Sequence, residues 1–314
     1  MQSLLSPAIL FFVLGLLAAL VRSNLTVPET IGKALAIYLM AAIGLKGGVQ
    51  VAQSGFTREL LLAGLAGLGL SLLLPFPAYW TSRRLARLDR MHAGAVAAHY
   101  GSVSVVTFVT GVAALEAAGL EVAGFMVAVL ALMEAPAILV GLWLARRASG
   151  GGAGVAHHVS HTLRDGSILL LAGGFIIGLV AGPGGFGAVR PVFEGAFGGI
   201  LCLFLLDMGL LAGRHLVGTG KVSPRLVAVA IALAVTNGTI GLLIGMGIGL
   251  DPGSAAALAI LAGSASYIAA PAAIRMALPE VDPGVPLTMS LAVTFPFNVL
   301  VAIPALTALA ASLA

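Results

Sequence analysis

Two short polar stretches interrupt long apolar runs, one in each half of the chain. Residues 99–107 read HYGSVSVVT, and residues 262–271 read AGSASYIAAP. In hydrocarbon every backbone polar group needs a partner, so a helix unwinds only where it is buried or lines a wet cavity. A break exposes N–H groups at a helix N-terminus, which suit an anion, whereas freed carbonyl and hydroxyl oxygens suit Na⁺.

These stretches therefore predict a small-anion site built from small and hydroxyl-bearing residues. The alternative is that small residues only let two helices pack closely. Because the motif occurs twice, we favour the site. Its candidate residues are Ser102, Ser104, Thr107, Gly263, Ser264 and Ser266.

Among single residues, Glu134 is the strongest candidate for a functional role. It lies in the apolar run ALMEAPAIL, two residues before Pro136. A carboxylate at that depth is costly and usually faces a cavity with a partner. We expect Glu134 to serve Na⁺ or a proton, or to set the local charge. A buried structural ion pair is the alternative.

Four further residues are candidates for binding a cation or setting charge. Lys46 and Asp207 occupy corresponding runs in the two halves, and we expect Lys46 to pair with Asp207 or with Glu134. A lysine ammonium can also stand where a related site keeps Na⁺. Thr294 and Asn298 flank a proline in the last apolar run, which matches the region of Glu134.

The composition indicates an all-α polytopic membrane protein. The chain is 60% hydrophobic and 9% charged, whereas soluble domains are about a quarter charged. We predict ten spans, at about residues 5–21, 28–52, 59–81, 92–115, 122–146, 166–182, 192–213, 224–249, 254–277 and 286–313. A polar linker at 147–165 separates a first unit, 1–146, from a second, 166–314.

The pattern does not favour an enzyme or a nucleic-acid-binding protein. The usual hydrolase, metalloprotease and phosphate-loop motifs do not occur, and we predict no cofactor beyond Na⁺ as a coupling ion. The segment HHVSH at 157–161 is only a weak metal signal. The basic residues lie in loops on one side rather than in a patch for nucleic acid.

Loop charges predict the orientation in the membrane. With the N-terminus outside, inner loops hold most of the Lys and Arg, and outer loops hold only Arg58 and Arg190. Cytoplasmic loops carry the excess of positive charge, so both termini are expected to be periplasmic and the linker cytoplasmic. The inner set is Arg22, Arg83, Arg84, Arg87, Arg90, Arg146, Arg147, Arg164, Arg214, Lys221 and Arg225.

The two halves are weakly similar in sequence. YLMAAIGLKGGVQVA in span 2 aligns with LCLFLLDMGLLAGRHL in span 7, and YGSVS in span 4 aligns with AGSAS in span 9. Five spans per half force the second half to insert upside down. This predicts two inverted five-helix repeats with discontinuous helices 4 and 9 crossing near the midplane, an architecture of secondary transporters.

The chain resembles the sodium-dependent bicarbonate transporters of the SbtA type, as a divergent bacterial homologue. The resemblance rests on VPETIGKALAIYLMAAIGLKGGV, on YGSVSVVT before EAAGLEVAGFMVAVLALMEAPAILV, and on ILAGSASYIAAPAAIRMALPE. It implies a homotrimer in the bacterial inner membrane that binds an anion and Na⁺ where spans 4 and 9 cross. Ser104, Thr107, Ser264, Ser266 and Glu134 match positions of the family motifs, as do Pro271 and Arg275.

Two departures bear on the coupling ion. Tyr267 stands where cyanobacterial members carry an acidic residue, and Lys46 stands where they carry a small hydroxyl residue. The short linker argues against a PII-like regulatory partner.

We therefore expect import of a small anion, bicarbonate first, by Na⁺ symport with alternating access. Two alternatives stay open: a H⁺-coupled transporter or uniporter of another small carboxylate, and an anion-binding membrane sensor that moves nothing.

Overall fold

A computed structural model describes residues 7–55, 57–147, 166–218, 223–278, 280–282 and 284–314. These residues form helices and no strand. Among the described residues eight helical segments are long and apolar enough to cross a membrane, and two of them, Arg58–Arg84 and Arg90–Ala117, consist of two consecutive helices. Pro7–Leu20 and Pro252–Ala262 are shorter apolar helices. The expectation of an all-helical polytopic membrane protein is confirmed. The linker after Arg147, with its HHVSH segment, lies outside the described residues.

Thirteen helices make up the described part of the chain. A π-helical turn, Pro191–Gly195, joins the eighth to the ninth, and the last contains π-helical turns at Thr288–Thr294 and Asn298–Ala302. The helices are α1 (Pro7–Leu20), α2 (Glu29–Ser54), α3 (Arg58–Leu73), α4 (Pro75–Arg84), α5 (Arg90–Gly101), α6 (Val105–Ala117), α7 (Met126–Arg147), α8 (Gly166–Arg190), α9 (Phe197–Gly218), α10 (Pro224–Gly247), α11 (Pro252–Ala262), α12 (Ala269–Ala277) and α13 (Gly284–Leu313).

The predicted spans 4 and 9 are each two helices. Residues 102–104 separate α5 from α6, and residues 263–268 separate α11 from α12. We call these segments the first and the second break. Both predicted interruptions therefore occur where glycine and serine replace apolar residues in otherwise helical runs.

The same pair of caps organises both broken spans. Asp89 accepts the backbone N–H groups of Met91 and His92 at the start of α5, and Asp251 accepts that of Ser254 at the start of α11. A capping carboxylate satisfies N–H groups that lack helical partners. The second helix of each span has a backbone N–H in its first turn bonded to a serine hydroxyl, which belongs to the site and is described below.

Glycine-mediated contacts hold two helix pairs together. In the pair α1 and α9, a Cβ on Gly15 would overlap the carbonyl of Leu206, and one on Gly209 would overlap that of Phe12. In the pair α2 and α8, a Cβ on Gly48 would overlap the carbonyl of Phe175. Small residues let membrane helices approach at backbone distance, so both pairs are locked by the same device.

The helices group into two bundles by their packing. One contains α1, α2, α8 and α9, and we call it the four-helix bundle. The other contains α3 to α7 and α10 to α13, including both breaks, and we call it the broken-helix bundle. Within α8 the chain bends at Gly182, whose φ of 58° is readily adopted by glycine, and Pro183 follows it.

Contacts join several of the basic segments in pairs. The Arg214 guanidinium donates to the Leu25 carbonyl at 2.7 Å, and that of Arg146 donates to the Ala277 carbonyl at 3.0 Å. Leu226 packs with Ala86 and Leu88 beside the arginine-rich loop. Each of these contacts joins two segments that the loop charges assign to the same side of the membrane, and the orientation stays a prediction. Arg164 and Lys221 lie outside the described residues.

Candidate functional site

The two breaks are hydrogen-bonded directly to each other. The backbone N–H of Ser104 donates to the Ser264 hydroxyl at 2.9 Å. In return, the backbone N–H of Ser266 donates to the His99 carbonyl at 2.9 Å. Two donors that unwinding would otherwise leave unpaired are thus satisfied across the crossing point, which brings the two predicted motifs together.

A serine hydroxyl accepts a backbone N–H from the first turn of the second helix in each broken span, and we call Ser104 and Ser266 the serine caps. The Ser104 hydroxyl accepts the backbone N–H of Thr107 at 3.1 Å, and the Ser266 hydroxyl accepts that of Ala270 at 3.2 Å. A serine hydroxyl has one donor and two acceptor positions. Both caps therefore use acceptor capacity and keep an O–H donor for another group.

A small cavity lies against these two caps. The volume within it that the centre of a water molecule can reach is about 20 Å³. The cavity therefore holds roughly one water molecule. Its polar or charged lining comes from both breaks and from Glu134, which is 3% exposed. The lining residues are Ala36, Leu39, Met40, Val103, Ser104, Val105, Val106, Val109, Glu134, Phe204, Ser266, Tyr267 and Ile268.

Four of the six predicted anion-site residues lie behind the cavity wall rather than along it. The Ser102 hydroxyl donates to the Glu134 carbonyl at 3.0 Å, and the Ser264 hydroxyl donates to the Leu261 carbonyl at 2.7 Å. Thr107 supplies a backbone donor to a cap, and Gly263 supplies a carbonyl acceptor. In this conformation they shape the breaks, and Ser104 and Ser266 face the cavity.

Asn298 bonds the second break and Thr294 bonds Tyr100 at the end of α5, and neither bonds the Glu134 carboxylate. The Asn298 amide donates to the Gly263 carbonyl at 3.0 Å, and the hydroxyls of Thr294 and Tyr100 are 2.6 Å apart. Asn237 donates to the Tyr100 carbonyl at 3.3 Å. Our sequence reasoning missed Asn237, although a lone asparagine within an apolar span was a usable signal.

The expected pairing of Lys46 with Asp207 or Glu134 is wrong. The Lys46 ammonium lies 3.4 Å from the carboxylate of Glu116, at the far end of α6, and 5.8 Å from the ring centre of Phe197. Lys46 does not line the cavity beside Glu134 in the described structure. It therefore cannot occupy a cation position there in this conformation.

A large groove runs between α2, α8 and α9 and reaches the second break. The volume within the groove that the centre of a water molecule can reach is about 1410 Å³. Asp207 lines it and packs against Gly32 of α2, and Lys33 and Arg214 also line it. The groove and the cavity share the wall residues Ala36, Met40, Phe204, Tyr267 and Ile268.

The cavity combines features for both signs of charge. The first turn of α6 and the residues preceding α12 line it, so partial positive charge from two helix N-termini lies close to it. Glu134 contributes a carboxylate. The described residues hold no cluster of His, Cys, Asp or Glu suited to a transition metal. A small anion together with a monovalent cation matches this chemistry.

Two broken helices that are hydrogen-bonded to each other at their breaks, within a polytopic helical protein, are typical of secondary membrane transporters. Residues 7–311 match the Na⁺-dependent bicarbonate transporter superfamily, and the chain belongs to that family. Comparison with curated protein sequences gives no match of significance. Family membership makes the chain a transporter and not an enzyme, and it agrees with the resemblance carried by the sequence motifs.

Proposed function

We propose that this protein is a secondary transporter that imports bicarbonate together with Na⁺ by alternating access. One observation carries the proposal. A single cavity borders the serine caps of both breaks and the buried carboxylate of Glu134. An anion and a cation can therefore neutralise each other within one site, between parts of the fold that can move apart.

The anion would be held by the two capped helix starts. Ser104 and Ser266 each keep an O–H donor, and the helix N-termini contribute partial positive charge without a fixed cation. The cavity has room for about one water-sized molecule, so bicarbonate needs it to widen. Loading is thus coupled to a movement of the wall.

The cation would be held near Glu134. A carboxylate in a low-dielectric site attracts a monovalent cation strongly, and the freed backbone oxygens of the breaks add neutral ligands. Because the Lys46 ammonium pairs with Glu116, it does not neutralise Glu134, and Na⁺ would do so. This arrangement supports symport despite the tyrosine and lysine that depart from cyanobacterial members.

The proposal includes two inverted five-helix repeats within ten spans. Paired caps at Asp89 and Asp251, and paired glycine contacts in α1–α9 and α2–α8, support it. The inner-loop arginines would face the cytoplasm by the positive-inside rule, with both termini periplasmic. A homotrimer in the inner membrane completes the proposal.

The test is uptake of radiolabelled bicarbonate into proteoliposomes with and without an inward Na⁺ gradient. We expect uptake above that of empty liposomes, and stimulation by the gradient. No uptake contradicts the substrate, while uptake that ignores Na⁺ contradicts only the coupling. An anion that binds without counterflow exchange identifies the sensor instead, and H⁺-driven uptake of another carboxylate identifies the second transporter hypothesis.

A further inference from the structure

Tyr267 stands between the cavity and the groove. Its side chain is 8% exposed, and its ring centre lies 5.3 Å from that of Phe295 in the π-helical segment of α13. Tyr267 belongs to the lining of both spaces, together with Met40 and Phe204 from the four-helix bundle. A ligand that passes from the groove to the serine caps must therefore pass this ring.

The Tyr267 hydroxyl is a buried donor without a partner among the described residues. It lies near the Ser104 side chain, at a geometry that falls short of a hydrogen bond. Buried polar groups are nearly always paired, and an unpaired one costs free energy. Tyr100, the tyrosine beside the first break, shows the usual situation because its hydroxyl is bonded to Thr294.

We infer that Tyr267 donates a hydrogen bond to the transported anion. The inference rests on the proposed function, and it explains the unpaired donor by a ligand that completes it. Because the cavity holds about one water-sized molecule, an anion that enters it contacts the polar side chains of its lining at the same time. Tyr267, Ser104 and Ser266 then supply O–H donors from three directions.

The same walls discriminate among anions. Bicarbonate has acceptor oxygens for the three hydroxyls and one O–H of its own, which the Glu134 carboxylate can accept. Nitrate and formate offer acceptors but no O–H group. Bicarbonate therefore makes one more hydrogen bond in the cavity than nitrate or formate, and that bond is to a charged group, which strengthens it. The expected substrate class is a small oxyanion that carries one proton.

The test compares Tyr267→Phe with Tyr100→Phe in the full-length purified protein. Calorimetry measures affinity for bicarbonate, nitrate and formate, and thermal unfolding measures stability without anion. For Tyr267→Phe we expect about tenfold weaker binding of both bicarbonate and nitrate, an unchanged preference for bicarbonate over nitrate, and an unchanged or higher Tm. For Tyr100→Phe we expect a lower Tm, because Thr294 loses its partner, and unchanged bicarbonate affinity.

The outcomes separate this inference from the proposed function. Wild-type protein that prefers another anion contradicts bicarbonate as the substrate, and the Tyr267 variant is then measured on that anion. Equal anion affinity in wild type and Tyr267→Phe overturns the role of Tyr267 alone. A Tm loss in Tyr267→Phe as large as in Tyr100→Phe also overturns it, since it indicates a structural hydroxyl. Wild type that binds none of the anions overturns both.

Discussion

The backbone N–H of Ser104 donates to the hydroxyl of Ser264, so each broken span depends on the other. The Ser264 hydroxyl in turn donates to the Leu261 carbonyl at 2.7 Å, which extends the link to the last turn of α11. The two halves of the chain are therefore joined by hydrogen bonds at the point where their helices are interrupted. A substitution that removes one of these hydrogen bonds therefore affects both breaks.

Ser264→Ala should destabilise the crossing. It removes the acceptor of a buried backbone N–H, and an unsatisfied buried donor costs about 1–3 kcal/mol. Ser82→Ala is the matched control, because Ser82 is also fully buried while its hydroxyl has no partner in the described structure. Thermal unfolding in detergent should give a clearly lower Tm for Ser264→Ala than for Ser82→Ala. Equal Tm values would show that the hydrogen bond between Ser104 and Ser264 does not contribute to stability.

Glu134→Gln should remove the stimulation of uptake by Na⁺. The amide keeps the shape of the side chain but loses its charge, and we expect the Na⁺ effect to fall by about tenfold or more. Glu116→Gln is the control, since Glu116 lies at the other end of α6 beside Lys46. The same assays run across pH address the H⁺ alternative: unchanged pH dependence in Glu134→Gln excludes this carboxylate as the proton carrier.

Lys46→Met should leave the Na⁺ concentration for half-maximal uptake unchanged. The Lys46 ammonium pairs with Glu116 outside the cavity, and both side chains are partly exposed. Such a pair contributes about 0–1 kcal/mol to stability. A large shift in Na⁺ dependence, measured by uptake at a series of Na⁺ concentrations, would place Lys46 in the cation site after all.

Gly48→Ala should separate α2 from α8 and reduce the yield of folded protein. Its Cβ would overlap the carbonyl of Phe175, and backbone overlap costs more than the about 1–3 kcal/mol of ordinary overpacking. Gly69→Ala is the control, because a Cβ there meets nothing within 4 Å and alanine favours a helix. Size-exclusion profiles in detergent report the difference, and similar profiles for both variants would contradict the glycine contact.

The breaks were predictable from sequence because their signal is local. Glycine and serine stand in a run that is otherwise apolar, and their repetition in both halves strengthened the interpretation. Glu134 was predictable for the same reason, since a carboxylate within an apolar span is rarely incidental. These features depend on residue type and position along one helix.

Two features of the site could not be predicted because they depend on how helices turn toward each other. Lys46 pairs with Glu116, which lies just past the predicted end of span 4, rather than with the more deeply placed Asp207 or Glu134. Likewise, residue type did not distinguish Ser104, which faces the cavity, from Ser102, which bonds the Glu134 carbonyl. Helix rotation and packing decide both.

The most direct measurement is an experimental structure determined at saturating bicarbonate and Na⁺. We predict anion density between Ser104, Ser266 and the Tyr267 hydroxyl, cation density beside Glu134, and a cavity wider than the present space for one water-sized molecule. Density for the anion at Lys46 or in the groove near Arg214, with the cavity between the breaks left closed, would contradict the account.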